Sequence, residues 1–241
     1  MIRIYLRYLA VVSIILTGLT VFSTTPIPID SVDYSRITHK KVRKLILKQK
    51  QFGVRTFDDI SPVCYSDGDS VNYNFYQKTQ LIKQDISVVW NNLVKQQLND
   101  EFDGRIVSLG LLYSKSKNNI GYKNEAKTGI EVGQILFFNL RMLRGIKNLA
   151  VALEVTKVDN ELKTVEYCYV DHGNTKGTQQ VSLKPTPEGY TEITQMTRYK
   201  CNSKFRASRL YAFFHERIVK EFFSAIKFKS EKEKDMLAGT F

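Results

Sequence analysis

The side chains best suited to chemistry lie close together near position 170. Cys168, Asp171 and His172 belong to the segment Tyr167-Cys-Tyr-Val-Asp-His-Gly. An imidazole beside a carboxylate could act as a general base or as a pH-sensitive contact. Sequences of this kind are also typical of turns, because Asp and Gly satisfy the backbone there. The pair therefore favours a turn over a catalytic site.

Strand geometry argues against a cysteine–histidine nucleophile at this place. Residues four apart on a strand share a face but stand ~13 Å from each other. We therefore expect Cys168 to be a small buried side chain, and we expect the same of Cys64 and Cys201. An odd number of cysteines without C-x-x-C spacing predicts neither a fully paired disulfide framework nor a zinc site.

Motifs for bound cofactors are missing from the sequence. We find no phosphate-binding loop, no nucleophile elbow and no dinucleotide fingerprint. We therefore predict no metal, no cofactor and no assigned catalytic residue.

The charge balance narrows the possible partners. The chain has 241 residues, of which 43% are hydrophobic and 25% charged, as in a folded domain, and its formal net charge is +12. Such a protein is attracted to nucleic acid or to anionic lipid. Zinc-finger spacing, a Gly-rich clamp and a ribonucleoprotein pattern are all missing, so nucleic acid is not a predicted partner.

A basic cluster follows the amino terminus. Residues 31–51 have the pattern of a charged helix that packs weakly, and six of its basic residues form a cluster: Lys40, Lys41, Arg43, Lys44, Lys48 and Lys50. Anionic head groups could each contribute on the order of 1 kcal/mol to binding such residues. The same pattern fits a solvated helix face, and both interpretations stay open.

The amino terminus predicts export or membrane anchoring. Arg3 and Arg7 precede an uncharged apolar run at 8–22, which is typical of a signal segment. It could be cleaved, could remain as an anchor, or could be a buried helix. The predicted organisation is a signal or anchor, a basic helix with an irregular linker, a folded domain and a charged tail, over 1–23, 24–70, 71–229 and 230–241.

Hydrophobic periodicity predicts the elements of the folded domain. Apolar residues at spacings of three and four predict helices at 86–98 and 203–227. The second helix has a wide aromatic face that must pack against another part of the fold. Alternating or short apolar runs predict strands at 71–82, 105–113, 134–143, 148–158, 162–170, 178–184 and 190–199. This order predicts an α+β fold in which a curved antiparallel sheet of about six or seven strands wraps around the long carboxy-terminal helix, leaving a cavity.

This order of elements is similar to the helix-grip fold of the START and pollen-allergen superfamily, called SRPBCC, which polyketide cyclases share. A closer resemblance, to a family of uncharacterised bacterial and plant domains, covers 133–228. It rests on Tyr167-Cys-Tyr-Val-Asp-His-Gly, a turn closing at Gly177, Gln179-Gln-Val-Ser-Leu and Gly189-Tyr-Thr-Glu-Ile-Thr. Members of that family carry paired acids where this chain has Thr178, Gln179 and Gln180. The resemblance implies a fold and a pocket, and no reaction.

The cavity of such a fold would be lined by inward-facing side chains. We predict that nine residues form a ligand-binding wall, although they could equally be plain core: Phe138, Leu140, Met142, Val151, Leu153, Tyr167, Tyr169, Phe214 and Ile218. Tyrosine hydroxyls, with Gln195 or Arg198 if either points inward, could orient the polar end of an amphiphile.

Three hypotheses of function follow. The leading one is a binding module for a hydrophobic small molecule or lipid, exported or held at a membrane. The second is a cyclase- or hydrolase-like enzyme that uses His172, Tyr169 or Glu166 in the same pocket. The third is a structural interaction domain with a filled interior.

Overall fold

The fold is built on one curved antiparallel sheet, which a computed structural model describes together with three α-helices. The described residues are 25–68, 73–95, 104–123, 125, 128–142, 145–201 and 209–238, with side chains of the last helix described over 212–232. The helices are α1 (Lys40–Gln51), α2 (Ile86–Val94) and α3 (Arg209–Ala238). The strands are β1 (Pro62–Val63), β2 (Asn74–Ile82), β3 (Val107–Ser114), β4 (Asn119–Tyr122), β5 (Gln134–Met142), β6 (Lys147–Asp159), β7 (Thr164–Val170), β8 (Thr175–Pro185) and β9 (Thr191–Cys201).

All seven strands expected from the periodicity are present, and the helix-grip prediction is confirmed. The strand order is β2-β9-β8-β7-β6-β5-β3-β4, with β1 paired to β7. The predicted count of six or seven strands is wrong, because β1 and β4 add two. Both are too short, at two and four residues, to show a period-two pattern.

Strand β8 begins earlier than its hydrophobic pattern predicts. It starts at Thr175, so that Gly177 lies inside the strand, paired with Tyr199, rather than closing a turn. The φ angle of Gly177 is +125°, and a Cβ there would lie 2.0 Å from the carbonyl oxygen of Arg198. Only glycine fits this position.

Helices α2 and α3 cover the concave face of the sheet. Asp85 caps α2 by accepting a hydrogen bond from the backbone N–H of Ser87, and the apolar stripe of α2 is buried, as predicted. Helix α3 buries one aromatic-rich side against the same face, through Phe214, Val219, Phe222, Phe223 and Ile226. The spacings of three and four between Val219 and Ile226 keep these buried side chains on one stripe.

The final helix is longer than its pattern predicts. Residues 203–208 of the predicted helix lie outside the described residues, and α3 continues to Ala238 instead of ending at 227. Ser230, predicted to begin a frayed tail, is fully buried. Its hydroxyl accepts a hydrogen bond from the Asn92 amide of α2 at 3.2 Å, and its carbonyl accepts one from Gln84 at 3.1 Å. The prediction of a tail starting at 230 is therefore wrong.

The chain preceding β1 covers the convex face, contrary to the prediction that the basic helix packs weakly. Val42 and Ile46 of α1 are fully buried in a second apolar cluster with Leu111 of β3 and Phe137 of β5. Every residue of β3 is buried, as expected for a strand covered on both faces. Gly110 permits this contact, because a Cβ there would lie 2.9 Å from a methyl group of Val42.

A disulfide between Cys64 and Cys168 joins this covering segment to the centre of the sheet. Cys64 follows β1 and is exposed, so the expectation that it is a buried free thiol is wrong; Cys168 is buried but bonded. Cys201 is not part of a disulfide. The pairing could not be read from the sequence because the two cysteines are separated by 104 residues.

The predicted amino-terminal signal or anchor, residues 1–23, lies outside the described residues. None of the helices described here is both long and apolar enough to cross a bilayer.

We expect the disulfide to stabilise the fold. Replacing Cys64 with serine should lower the free energy of unfolding by about 2–4 kcal/mol, because the unfolded chain loses a long cross-linked loop. Urea denaturation with and without dithiothreitol measures this: reductant should destabilise the wild type and leave Cys64→Ser unchanged. The matched control Cys201→Ser should respond to reductant as the wild type does. Detection of three thiols in the denatured, unreduced protein would contradict the disulfide.

Candidate functional site

A cavity lies between α3 and the concave face of the sheet, near the end where β5 stops and β6 starts. Its volume is about 130 Å³. This is well above the roughly 10–15 Å³ that one water molecule needs. Its wall is formed by alternate residues of β5, β6, β7, β8 and β9 and by one side of α3.

All nine residues predicted to form a ligand-binding wall line this one cavity: Phe138, Leu140, Met142, Val151, Leu153, Tyr167, Tyr169, Phe214 and Ile218. Strand alternation was sufficient to select them, because residues two apart on β5, β6 and β7 face the same side. Their role in binding a ligand stays a prediction.

Sequence reasoning missed nine further lining residues. Five are apolar, namely Val107, Leu149, Ala150, Val181 and Phe222, and four are polar, namely Thr175, Gln179, His215 and Glu221. The same alternation could have found Gln179, two residues from Val181 on β8. The helical spacing from Phe214 and Ile218 could have found Glu221 and Phe222.

Two glutamines and a tyrosine form a hydrogen-bonded chain in the wall. The Gln195 side-chain N–H donates to Gln179 Oε1 at 2.8 Å, and the Gln179 side-chain N–H donates to the Tyr169 hydroxyl at 2.9 Å. Gln195 is one of the two residues that the sequence analysis considered as inward-facing polar groups, and it does face inward. Arg198, the other option, is exposed on the outer face, with its guanidinium 5.0 Å from the centre of the Tyr65 ring.

His215 brings a titratable group into the wall. Its side chain is almost fully buried between the rings of Tyr76 and Tyr199, and its Nε2 lies 3.4 Å from the Thr197 hydroxyl. Burial penalises the charged imidazolium and lowers the pKa of His215 to about 4. The imidazole is therefore neutral at pH 7.

Glu221 anchors α3 to the start of β3. Its carboxylate accepts hydrogen bonds from the backbone N–H groups of Ile106 and Val107, both at 2.9 Å. A Cβ on Gly104 would lie 2.0 Å from Oε1 of Glu221, so a larger residue at 104 would require this carboxylate to shift. The anchor places one carboxylate in the wall of the cavity.

Of the three residues considered for catalysis, only Tyr169 lines the cavity. His172 occupies the predicted turn between β7 and β8, with a φ of +56°, and its ring stacks on Phe52 at 4.3 Å. Glu166 accepts a hydrogen bond from Thr156 at 3.0 Å and lines a separate groove on the outer face, next to Cys64 and Met196. Of the three alternatives for an acid or base, His172 and Glu166 therefore lie outside the cavity.

Comparison with known proteins identifies the architecture. No family model matches the chain, and no curated protein does. The chain is similar in structure to a norcoclaurine synthase from Thalictrum flavum, with 15% identity and a TM-score of 0.50 over 67% of this chain and 96% of that one. It is also similar to Ara h 8.0201, with 12% identity and a TM-score of 0.45 over 66% of this chain and 99% of that one. A major latex-like protein from Panax ginseng matches with 12% identity and a TM-score of 0.47 over 64% of this chain and 95% of that one.

At these identities the likeness shows the fold alone. The chain has the helix-grip fold of the START and pollen-allergen superfamily, and the resemblance inferred from the order of its elements is confirmed at that level.

We expect His215 to make the stability of the protein depend on pH. Because its pKa is 6.5 in the unfolded chain and about 4 when folded, the neutral imidazole stabilises the fold above pH 6.5, and this stabilisation is lost as the pH falls toward 4. The wild type should lose about 3 kcal/mol of unfolding free energy between pH 7 and pH 4 through this group. Denaturant titrations between pH 7 and pH 4 measure the free energy of unfolding at each pH. Its loss over this range should be smaller by about 3 kcal/mol in His215→Gln than in the wild type.

Thr197→Val is the matched control for this experiment. It removes the hydroxyl beside the imidazole and keeps the titrating group, so it should lower stability by a similar amount at every pH. If His215→Gln loses as much unfolding free energy as the wild type between pH 6.5 and pH 4, the assignment of this pH dependence to His215 is contradicted.

Proposed function

We propose that this protein is a binding module that encloses a hydrophobic small molecule or lipid between α3 and the sheet. The observation that carries the proposal is the cavity of about 130 Å³ whose wall is mainly aliphatic and aromatic. Protein interiors are otherwise packed like organic crystals, with few voids larger than a water molecule. A space of this size is costly unless something fills it.

The character of the wall supports an apolar occupant. Water is held in a protein interior by several polar partners, and cavities lined by apolar groups stay dry and accept apolar guests. The polar groups Gln179, Gln195, Tyr169 and His215 occupy one part of the wall. Ligand sites typically combine such a small polar set with a mainly apolar surface.

We propose further that the protein works outside the reducing cytoplasm. Disulfides persist mainly in oxidising compartments, and the Cys64–Cys168 bridge supports such a location. The apolar run at 8–22 after Arg3 and Arg7, typical of an export signal, supports the same compartment from the sequence.

The exposed side of α1 supports contact with an anionic membrane surface. Val42, Leu45 and Ile46 are buried on the sheet, whereas Lys40, Lys41 and Lys44 are exposed and Lys48 is half-buried. None of these four lysines forms an ion pair with a described acidic residue, while Lys50 is paired with Asp30 at 2.7 Å. Leu47, 42% exposed on the same side, adds an apolar group that could enter the head-group layer.

Filling the cavity should abolish ligand uptake. Val151→Trp places an indole into the space, and we expect affinity for the neutral fluorescent probe N-phenyl-1-naphthylamine to fall at least about tenfold without loss of thermal stability. Leu162→Trp, at a site 68% exposed outside the cavity, is the matched control and should bind as the wild type does. Native mass spectrometry of the gently purified wild type should also reveal a co-purifying amphiphile.

The binding proposal fails if the wild type takes up no probe and carries no amphiphile. It fails equally if Val151→Trp is correctly folded and binds the probe with unchanged affinity.

Neutralising the exposed side of α1 should weaken membrane association. For the chain from residue 25, changing Lys40, Lys41, Lys44 and Lys48 to glutamine should reduce co-sedimentation with phosphatidylserine vesicles at least about tenfold, since each lysine contributes on the order of 1 kcal/mol near an anionic surface. The control removes the same charge from the exposed residues Lys83, Lys95, Lys184 and Lys200. Equal losses in both variants would show a nonspecific effect of net charge and contradict the assigned surface.

A further inference from the structure

We infer that the ligand of this cavity is an amphiphile whose polar group is uncharged and donates a hydrogen bond, such as a hydroxyl or a primary amide, and that Gln195 Oε1 accepts that bond. The inference rests on the proposed function and deepens it, because it names the chemical class of the ligand and the residue that selects it.

The charge of the wall excludes an anionic head group. Among the described lining residues there is no lysine or arginine, and the one acidic side chain is that of Glu221. His215 is buried and neutral there, so it supplies no positive charge. A carboxylate or phosphate brought into this space would lose its hydration without gaining a counter-ion, and it would be repelled by Glu221.

A cationic head group is not favoured either. The Glu221 carboxylate already accepts hydrogen bonds from Ile106 and Val107, which hold it against the start of β3. Moving it toward a ligand ammonium would leave two backbone N–H groups without their acceptor. Unsatisfied buried donors cost about 1–3 kcal/mol each, so the anchor competes with any such ion pair.

The glutamine chain determines which polar group fits. The side-chain N–H of Gln195 donates to Gln179, and the side-chain N–H of Gln179 donates to Tyr169. These two hydrogen bonds orient both amides. The Oε1 atom of Gln195 then accepts no hydrogen bond from the described residues. A ligand O–H or N–H would satisfy this acceptor, whereas an ionised carboxylate has no hydrogen to donate.

Matched pairs of ligands test the charge selectivity. Straight-chain 1-alkanols and alkanoates of six to twelve carbons, at pH 8 where the alkanoates are ionised, compete with N-phenyl-1-naphthylamine for the wild-type protein. We expect the best alkanol to displace the probe at a concentration at least about tenfold lower than the best alkanoate, because the anion is desolvated without a partner.

Variants test the role of Gln195. Gln195→Met keeps the shape of the side chain and removes its acceptor, so alkanol affinity should fall about five- to tenfold, as for the loss of one hydrogen bond. Gln180→Leu, on the outer groove of the same sheet, is the matched control and should leave alkanol affinity unchanged. Gln180→Leu should also bind the probe as the wild type does, and an unchanged circular dichroism spectrum of Gln195→Met shows that this variant is folded.

The outcomes separate this inference from the proposed function. If alkanoates displace the probe as well as alkanols do, or if no alkanol displaces it, the ligand class is wrong while the cavity still binds apolar molecules. If Gln195→Met binds alkanols as the wild type does, the assignment of Gln195 is wrong. If the wild type does not bind the probe at all, the proposed function fails together with the inference.

Discussion

Burial of the aromatic side of α3 on the concave face of the sheet is the constraint on which the rest of the structure depends. Phe223 and Ile226 are fully buried there, and the helix is held further along by Ser230 against α2. Glu221 fixes the preceding turn to the backbone of β3. Between these anchors and the end of β5, the side chains of Phe214 and Phe222 line the cavity. The anchors therefore hold the helix over the cavity.

The two faces of the sheet are covered by different parts of the chain. The convex face is covered by the segment from Ile29 to Ile60, whose apolar side chains form a separate cluster with the outward residues of β3 and β5. The disulfide at Cys64 ties the end of this segment to β7. The buried apolar residues of this cluster are distinct from those packed on the concave face, so the sheet is held from both sides.

The sequence predicted most of the fold and much of the cavity wall, because both follow from local periodicity. Alternation along β5 placed Phe138, Leu140 and Met142 on one side, and helical spacing placed Phe214 and Ile218 opposite them. The sequence could not predict contacts between residues that are distant in the chain. The Cys64–Cys168 bridge, the packing of α1 through Val42 and Ile46, and the Glu221 anchor join residues distant in the chain, and no local pattern reports such pairs. Gln179, the middle member of the hydrogen-bonded chain from Gln195 to Tyr169, was also missed, because a polar residue at an inward position of a strand looks like a defect in a hydrophobic pattern.

Methyl NMR of the methionines tests the central claim most directly. Met142 lines the cavity, whereas Met196 lies in the groove on the opposite face of the sheet. In a titration of methyl-labelled protein with N-phenyl-1-naphthylamine, ring currents from a bound aromatic should shift the Met142 signal strongly and leave Met196 unchanged. A saturating shift at Met196 with none at Met142 would contradict the account, and so would the absence of any shift at either methyl group.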